Sequence, residues 1–319
     1  MRKIHKAIPI IGLILAMLLW GSSFVAMKIA FRDFEPLHVI FWRLAIAVCC
    51  FALILPRLCK QRIRRGDWRY LGLMGLFEPC LYFIFEALAL EYTSASQAGM
   101  VTAILPLMVA VIAALWLREQ VSRTNIAGFL LAISGVWWLS LSGEPSASAP
   151  NPLFGNSLEF IAMVCATGYI ITLKRLTERY TPLFLTAMQA AIGALFFLPT
   201  LFFFPAPETL TQLSDTASLA VLYLGTCVTI VAYGLYNFGV SRIPVSQASA
   251  YINLIPVFAL ILGVTILGER FTEQQLLATL LVFSGVVISQ WSGRRTEQRT
   301  EPLRVPSHPV RPTQPTKTP

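Results

Sequence analysis

Within the apolar stretch FEPCLYFIFEALAL, residues 77–90, Glu78, Tyr82 and Glu86 recur every fourth residue. On a helix this spacing puts all three on one face, over about 12 Å. A carboxylate in the middle of a bilayer costs roughly 2.5–3.5 kcal/mol on insertion scales, so ionisable groups there face a bundle interior. Glutamates so placed could bind a coupling proton or meet the cationic group of a solute. The plainer alternative is a structural ion pair or hydrogen bond, with Arg43 as one available partner.

Other polar residues interrupt apolar runs in similar fashion. Arg43 is the one Lys or Arg in the middle of an apolar segment. It could meet an anionic solute or pair with a glutamate. Thr226, Thr229, Tyr233, Tyr236 and Asn237 form a stripe at helical spacing, suited to an amphipathic pocket or to interhelical packing. Trp20, Ser22 and Ser23 flank Gly21, which allows close backbone approach. They fit a cavity wall or a packing seam equally. No Walker loop, HExxH or G-x-S-x-G pattern is present, and Ser22 and Ser23 have no positioned base, so an enzyme is not expected.

The elements that carry these residues follow from composition. The 319 residues are 56% hydrophobic and 13% charged, with a mean hydropathy of +0.67. Soluble domains are nearer 25% charged. The six cysteines have no CxxC spacing and no histidine at ligand spacing, so no disulfide framework, metal site or cofactor is expected. The run from Ala7 has no clean A-x-A site and reads as an uncleaved first span.

Apolar runs and breakers predict an all-α polytopic membrane protein with ten transmembrane helices, near 8–28, 37–56, 69–90, 95–117, 124–142, 157–174, 182–203, 217–240, 245–267 and 274–292. With the N-terminus inside, 21 Lys and Arg fall on the cytoplasmic side, and three (Lys28, Arg32, Arg270) fall outside. This bias places both termini in the cytoplasm. The net charge of +9 is therefore a topology signal and does not call for a nucleic-acid partner.

The chain also repeats itself. Lys28, Pro36 and Arg43 align with Lys174, Pro182 and Gln189 at an offset of 146. At an offset of 150, Gly75 meets Gly225, Ser96-Gln97-Ala98 meets Ser246-Gln247-Ala248, Pro106 meets Pro256, Glu119 meets Glu269, and Ser134-Gly135 meets Ser284-Gly285. Five helices per copy is an odd number, so the two copies face opposite ways. That is the plan of secondary transporters with a site near the midplane. The expected parts are an N-terminus (1–7), a first repeat (8–142), an extracytoplasmic linker (143–156), a second repeat (157–292) and a disordered Pro-rich basic tail (293–319).

Pro106 and Pro256 should break helices 4 and 9 and free the carbonyls of Thr102 and Ile252, as a helix break or gate would require. The second copy adds Ser249, Tyr251 and Asn253 to this segment, so it is the better candidate for touching substrate. Glu119 and Glu269, in loops, read as fasteners.

The stretches LLWGSSFVAMK and ALALEYTSASQAG, the Pro and Arg of helix 2, and LREQ and LGER after helices 4 and 9 resemble the EamA family of the drug/metabolite transporter superfamily. The resemblance spans roughly residues 8–292. It implies two inverted five-helix repeats around a central cavity, and export or exchange of amino acids, other small metabolites or drugs. An Arg in helix 2 is usual in that family, which favours a structural or gating pair for Arg43. Glu78 and Glu86 stand where the family more often has apolar or aromatic residues.

The sequence thus predicts a secondary transporter of a small organic metabolite or amino acid in an inner or plasma membrane, working outward by alternating access, with proton coupling through Glu78 or Glu86. Trp20, Ser23, Tyr82, Gln97, Tyr233, Tyr236, Asn237, Ser249 and Asn253 are the expected cavity residues. A facilitative uniporter or exchanger is the alternative, and a lipid-linked flippase or membrane enzyme a more distant one. The partners expected are a small-molecule substrate and the lipid bilayer.

Overall fold

The computed structural model of the chain describes residues 2–58, 61–117, 123–203 and 214–299. Glu119 and residues 300–319 of the tail, on which two of the expectations above rest, lie outside the described residues.

The described residues form helices and no strand, apart from an isolated bridge between Ser146 and Ala149. Among the described residues, seven helices are long and apolar enough to cross a membrane: α1 (Ala7–Ala30), α3 (Trp68–Tyr92), α4 (Ala95–Ile112), α6 (Pro152–Leu176), α7 (Pro182–Phe203), α8 (Asp215–Arg242) and α9 (Gln247–Leu267). Three shorter apolar helices, α2 (Pro36–Ala52), α5 (Ile126–Leu141) and α10 (Glu273–Ile288), lie between or after them.

Local chemistry sets the boundaries. Asn151 caps α6 by accepting from the Phe154 amide at 3.2 Å, and Ser94 caps α4 by accepting from the Gln97 amide at 3.2 Å. Each satisfies an orphan N–H of the first turn. Proline at the first helical position follows the cap in α6 and α7, where its missing N–H costs nothing.

Three expectations need correction. The linker expected over 143–156 ends early, because the Asn151-Pro152 start signal brings Gly155 and Asn156 into α6. The last helix runs to Arg299, into the segment expected to be disordered from 293. GRRTEQR contains good helix formers and no proline. Finally, α3 is not one continuous α-helix. Pro79 is preceded by Glu78 at φ −150°, ψ 116°, inside a π-type segment Leu76–Leu81, with the Glu78–Pro79 peptide in cis. Proline disfavours helical backbone at the residue before it, and the uniform four-residue spacing assumed for Glu78, Tyr82 and Glu86 overlooked that.

Backbone irregularities recur at the repeat offset. A π-type segment occupies Leu76–Leu81 in α3 and Leu224–Ala232 in α8. A 3-10 turn occupies Thr102–Ile104 in α4 and Tyr251–Leu254 in α9, each followed by helix that starts one residue before the proline. This is the physical result of removing one N–H and pushing on the carbonyl four residues back.

Packing repeats too. A Cβ on Gly75 would lie 2.7 Å from Ile192, and one on Gly225 would lie 2.8 Å from Ile46. Gly135 packs on Val282 and Ala278 of the last helix, while Gly285 packs on Ala132 and Gly128 of α5. The partners exchange places, Ile46 with Ile192 at an offset of 146 and Gly128 and Ala132 with Ala278 and Val282 at 150, so these contacts in one half have counterparts in the other.

Before α3, Asp67 receives the Tyr180 hydroxyl (2.9 Å) and Arg179 Nη1 (2.7 Å). The Tyr180 hydrogen bond, aided by Arg179, holds its carboxyl below the usual carboxylate range. A depressed folded-state pKa adds stability that is complete above the unfolded value, about 3.9. It is lost as pH falls through the folded value. The Asp67→Asn variant is therefore expected to melt below wild type at pH 7, and the gap should close below about pH 4. Thermal unfolding of the solubilised protein across pH reads this; a gap that persists in acid would contradict it.

Candidate functional site

Both halves of the chain contribute to a central cavity. From the first half come Trp20, Ser23 and Phe24 of α1, Arg43 of α2, Glu78, Tyr82, Phe83 and Glu86 of α3, and Thr102 and Leu105 of α4. From the second come Met163, Ala166, Tyr169 and Ile170 of α6, Tyr233 and Tyr236 of α8, and Ile252 and Ile255 of α9. The space is about 40 Å³, room for a few waters. Ligand pockets run to hundreds of Å³, so the space is too small for an organic solute in this conformation.

Buried charged groups and aromatic rings share the cavity wall. Tyr82 donates to Glu86 Oε1 at 2.7 Å, and the Tyr233 hydroxyl donates to Glu78 Oε1. Despite the break at Pro79, all three helix 3 residues reach the same cavity. Trp20 packs edge-on against Tyr233 (5.0 Å) and tilted against Tyr236 (4.8 Å). The Trp20 Nε1 and the Tyr236 hydroxyl are buried without a hydrogen-bond partner among the described residues, as is Glu86 Oε2.

Arg43 is 1% exposed. The pair expected with a glutamate is not formed: among the described residues Arg43 has no ion pair within 4.0 Å. Its Nε donates to Thr229 Oγ1 at 3.1 Å, Nη1 faces Met27 Sδ at 3.7 Å, and the guanidinium lies 4.5 Å from the Phe83 ring centroid. The π-type segment of α8 assists, since Thr229 Oγ1 itself donates five residues back to the Leu224 carbonyl at 2.8 Å. A weakly hydrated guanidinium tolerates such aromatic and hydroxyl company better than an ammonium would.

Four of the expected cavity residues are not on its wall. Gln97 lies in a buried network at the end of α4, where its Oε1 accepts from Asn156 Nδ2 at 3.1 Å. Asn237 is structural: its Nδ2 donates to Thr186 Oγ1 at 2.9 Å and its Oδ1 accepts from the Tyr169 hydroxyl at 2.7 Å. Asn253 donates to the Ala250 carbonyl at 3.2 Å, within its own 3-10 turn. Ser249 is buried. A polar residue on a helix has several faces to choose from, and sequence spacing alone did not separate them. Pro106 and Pro256 also stay off the wall, but the residues just before them, Leu105 and Ile255, line it, as do Thr102 and Ile252 at the freed carbonyls.

Two residues not singled out from the sequence matter here. Tyr169 lines the cavity and positions Asn237. Glu159 is fully buried in α6. Placing the start of that helix at 157 left Glu159 at its expected end; the Asn151-Pro152 signal moves it two turns inside.

Glu269 is a fastener between the halves. Gly268 ends α9 in the left-handed conformation (φ 69°, ψ 24°), which glycine adopts without strain. The chain turns back, and the two Glu269 oxygens accept from the amides of Ala95 (2.8 Å) and Ser96 (3.0 Å) in the first turn of α4. A carboxylate at a helix N-terminus meets both orphan donors and the positive end of the dipole. The Glu269→Ala variant should lose about 0.5–2 kcal/mol of stability, as capping losses do, and Glu269→Gln, which keeps one acceptor, should lose less. Thermal unfolding of the two variants in detergent compares them; equal stability of Glu269→Ala and wild type would refute the role.

Comparison with known proteins places this architecture. The model of the EamA-like transporter family matches residues 7–141 and again 153–291. The chain is 28% identical over 280 residues to an "Uncharacterized transporter" of Archaeoglobus fulgidus, covering 87% of this chain and 97% of that one. It is 26% identical over 300 residues to a "Probable terminal-alkyne amino-acid exporter" of Streptantibioticus cattleyicolor, covering 93% of this chain and 98% of the relative. A crystal structure shares the fold at TM-score 0.65 and 22% identity, over 89% of this chain and 98% of that chain. The chain belongs to the EamA-like transporter family, and it is a multi-pass membrane transporter and not an enzyme.

Proposed function

We propose that this protein is a secondary transporter that exports a small zwitterionic metabolite, an amino acid or a close relative, by alternating access. The observation that carries the reading is the central cavity, whose wall brings together a buried guanidinium, two buried carboxyls and several aromatic rings. Arg43 meets the carboxylate of the solute, and Glu78 and Glu86 meet its amine. Unpartnered polar atoms on Trp20, Tyr236 and Glu86 offer further hydrogen bonds to a polar guest, since unmet buried groups are costly until a partner arrives. The name of the Streptantibioticus relative, an amino-acid exporter, agrees with this solute class.

The membrane arrangement is ten helices in two inverted five-helix repeats, with both termini in the cytoplasm of a cell with this protein in its inner or plasma membrane. The double family match, the exchange of glycine partners between α5 and the last helix, and the recurrence of π and 3-10 segments at an offset of 150 support it. Two such units rocking about a fixed centre would open the cavity to each side in turn.

Purified protein in liposomes loaded with an amino-acid panel, with and without an imposed pH gradient, tests the function. Efflux of one or more amino acids above empty liposomes is expected. Movement of cationic drugs or of lipid-linked sugars, with no amino acid moved, would overturn the solute class.

A further inference from the structure

Glu159 has no obvious place in the scheme above. It is fully buried, it is not on the cavity wall, and neither of its carboxyl oxygens has a hydrogen-bond partner among the described residues. Glu86, on the neighbouring helix, also carries one unpartnered oxygen, Oε2.

The register of α3 against α6 sets these two acids face to face. A Cβ on Gly155 would lie 2.7 Å from Thr93 and 2.8 Å from the Ala89 carbonyl, and one on Gly168 would lie 2.8 Å from Phe77. The two helices therefore run antiparallel in tight contact, and one turn on from Gly155 the α6 residue is Glu159 while its opposite is Glu86. The two feel one another electrostatically.

Among the described residues nothing supplies a donor to Glu159. Asn156 lies one turn away, but its amide already donates to Gln97 Oε1 and Ser140 Oγ, both at 3.1 Å. Tyr82 is occupied with Glu86 Oε1. α6 packs against α3, α4, α5 and α8. The titratable groups facing the pair are Tyr82 and Glu78 from α3 and Tyr233 from α8, whose hydroxyl is bound to Glu78, with Arg43 of α2 beyond them. The α4 and α5 spans, Ala95–Ile112 and Ile126–Leu141, contain no charged residue. Two ionised carboxylates here would be like charges with the Tyr82 hydroxyl as their one donor among the described residues, an arrangement buried sites do not sustain. One proton removes both defects, because the O–H it makes on one carboxyl donates to the unpartnered oxygen of the other.

We propose that Glu86 and Glu159 form a buried acid pair that holds one exchangeable proton, with Glu86 as its contact to the cavity and Glu159 as its store. The proton comes from cavity water and returns to it, converting one carboxylate to a carboxylic acid and back. This deepens the transporter reading and rests on it for its use: proton binding at the pair is the step that an outward-directed exchange would be coupled to.

The test needs no substrate, so its result is separable from that of the liposome assay. Infrared difference spectra of the full-length purified protein between acidic and neutral pH report the carbonyl stretch of protonated carboxyls, and an indicator dye counts protons taken up. Wild type is expected to show a titrating carboxyl band that is absent from Glu159→Gln and from Glu86→Gln, with one proton fewer taken up by either variant. Because the pair shares one proton, the double variant should lose no more than either single one. An unchanged band and proton count in folded Glu159→Gln, judged by its chromatographic profile and melting, would overturn the proposal. If that variant does not fold, an unchanged band in Glu86→Gln has the same force. Suppression of the wild-type band by Na⁺ at fixed pH would assign the site to a metal cation and overturn the proton reading as well.

Discussion

The Arg43→Ala variant is expected to move a zwitterionic solute with an apparent affinity roughly 10- to 100-fold weaker than wild type. Hydrogen bonds to a charged group are worth about 1.5–3 kcal/mol, and each 1.4 kcal/mol is tenfold in affinity. Two features of the site make Arg43 the position of largest effect. It is the buried cation on the cavity wall, and among the described residues no carboxylate within 4.0 Å already neutralises it. Its removal also leaves Glu78 and Glu86 without a nearby positive charge. The Arg43→Lys variant keeps the charge but not the planar fork that spans Thr229 and the Phe83 ring, so it should fall between the two. Concentration dependence of liposome efflux distinguishes them; wild-type affinity in Arg43→Ala would mean that Arg43 is only a packing element.

That the site could be glimpsed in sequence at all reflects the solvent. In hydrocarbon, an ionisable residue is conspicuous because it is expensive, and Arg43, Glu78 and Glu86 were legible for that reason. The prolines and glycines were equally legible, since repeats preserve the positions where backbone geometry is constrained. Some uncharged polar residues were not. Gln97, Asn237 and Asn253 turn to neighbouring helices or to their own backbone, and this depends on how each helix is rotated in the bundle. Glu159 shows a different failure. With its helix expected to start at 157 it sits in the first turn, whereas the start at Pro152 puts it two turns inside. Helix 3 failed at Pro79, where a periodic spacing was read through a residue that breaks the period.

The second large effect concerns the seam between α5 and the last helix. A side chain on Gly285 would begin 2.5 Å from the Ala132 amide nitrogen, and one on Gly135 would begin 2.7 Å from the Val282 amide nitrogen. Backbone cannot turn aside as a side chain can, so valine at either position forces the two helices apart. Overpacking of this kind costs about 1–3 kcal/mol, and these sites belong at the upper end. Because the two contacts are counterparts, Gly135→Val and Gly285→Val should lower the melting temperature by similar amounts. The double variant should lose less than the sum, as neighbours in one seam do. A neutral result at one site with a large loss at the other would show that the two halves do not pack equivalently.

The central claim is that one cavity, too small for a solute in this structure, opens to each side of the membrane in turn. Ser23 lies on its wall and is 4% exposed, and Ser23→Cys changes a single atom. In a background with the native cysteines replaced, a membrane-impermeant thiol reagent is applied to right-side-out and to everted vesicles. The account predicts labelling from both sides, slowed in each case by a transported amino acid. Labelling from one side alone, unchanged by any solute the protein moves, would contradict it.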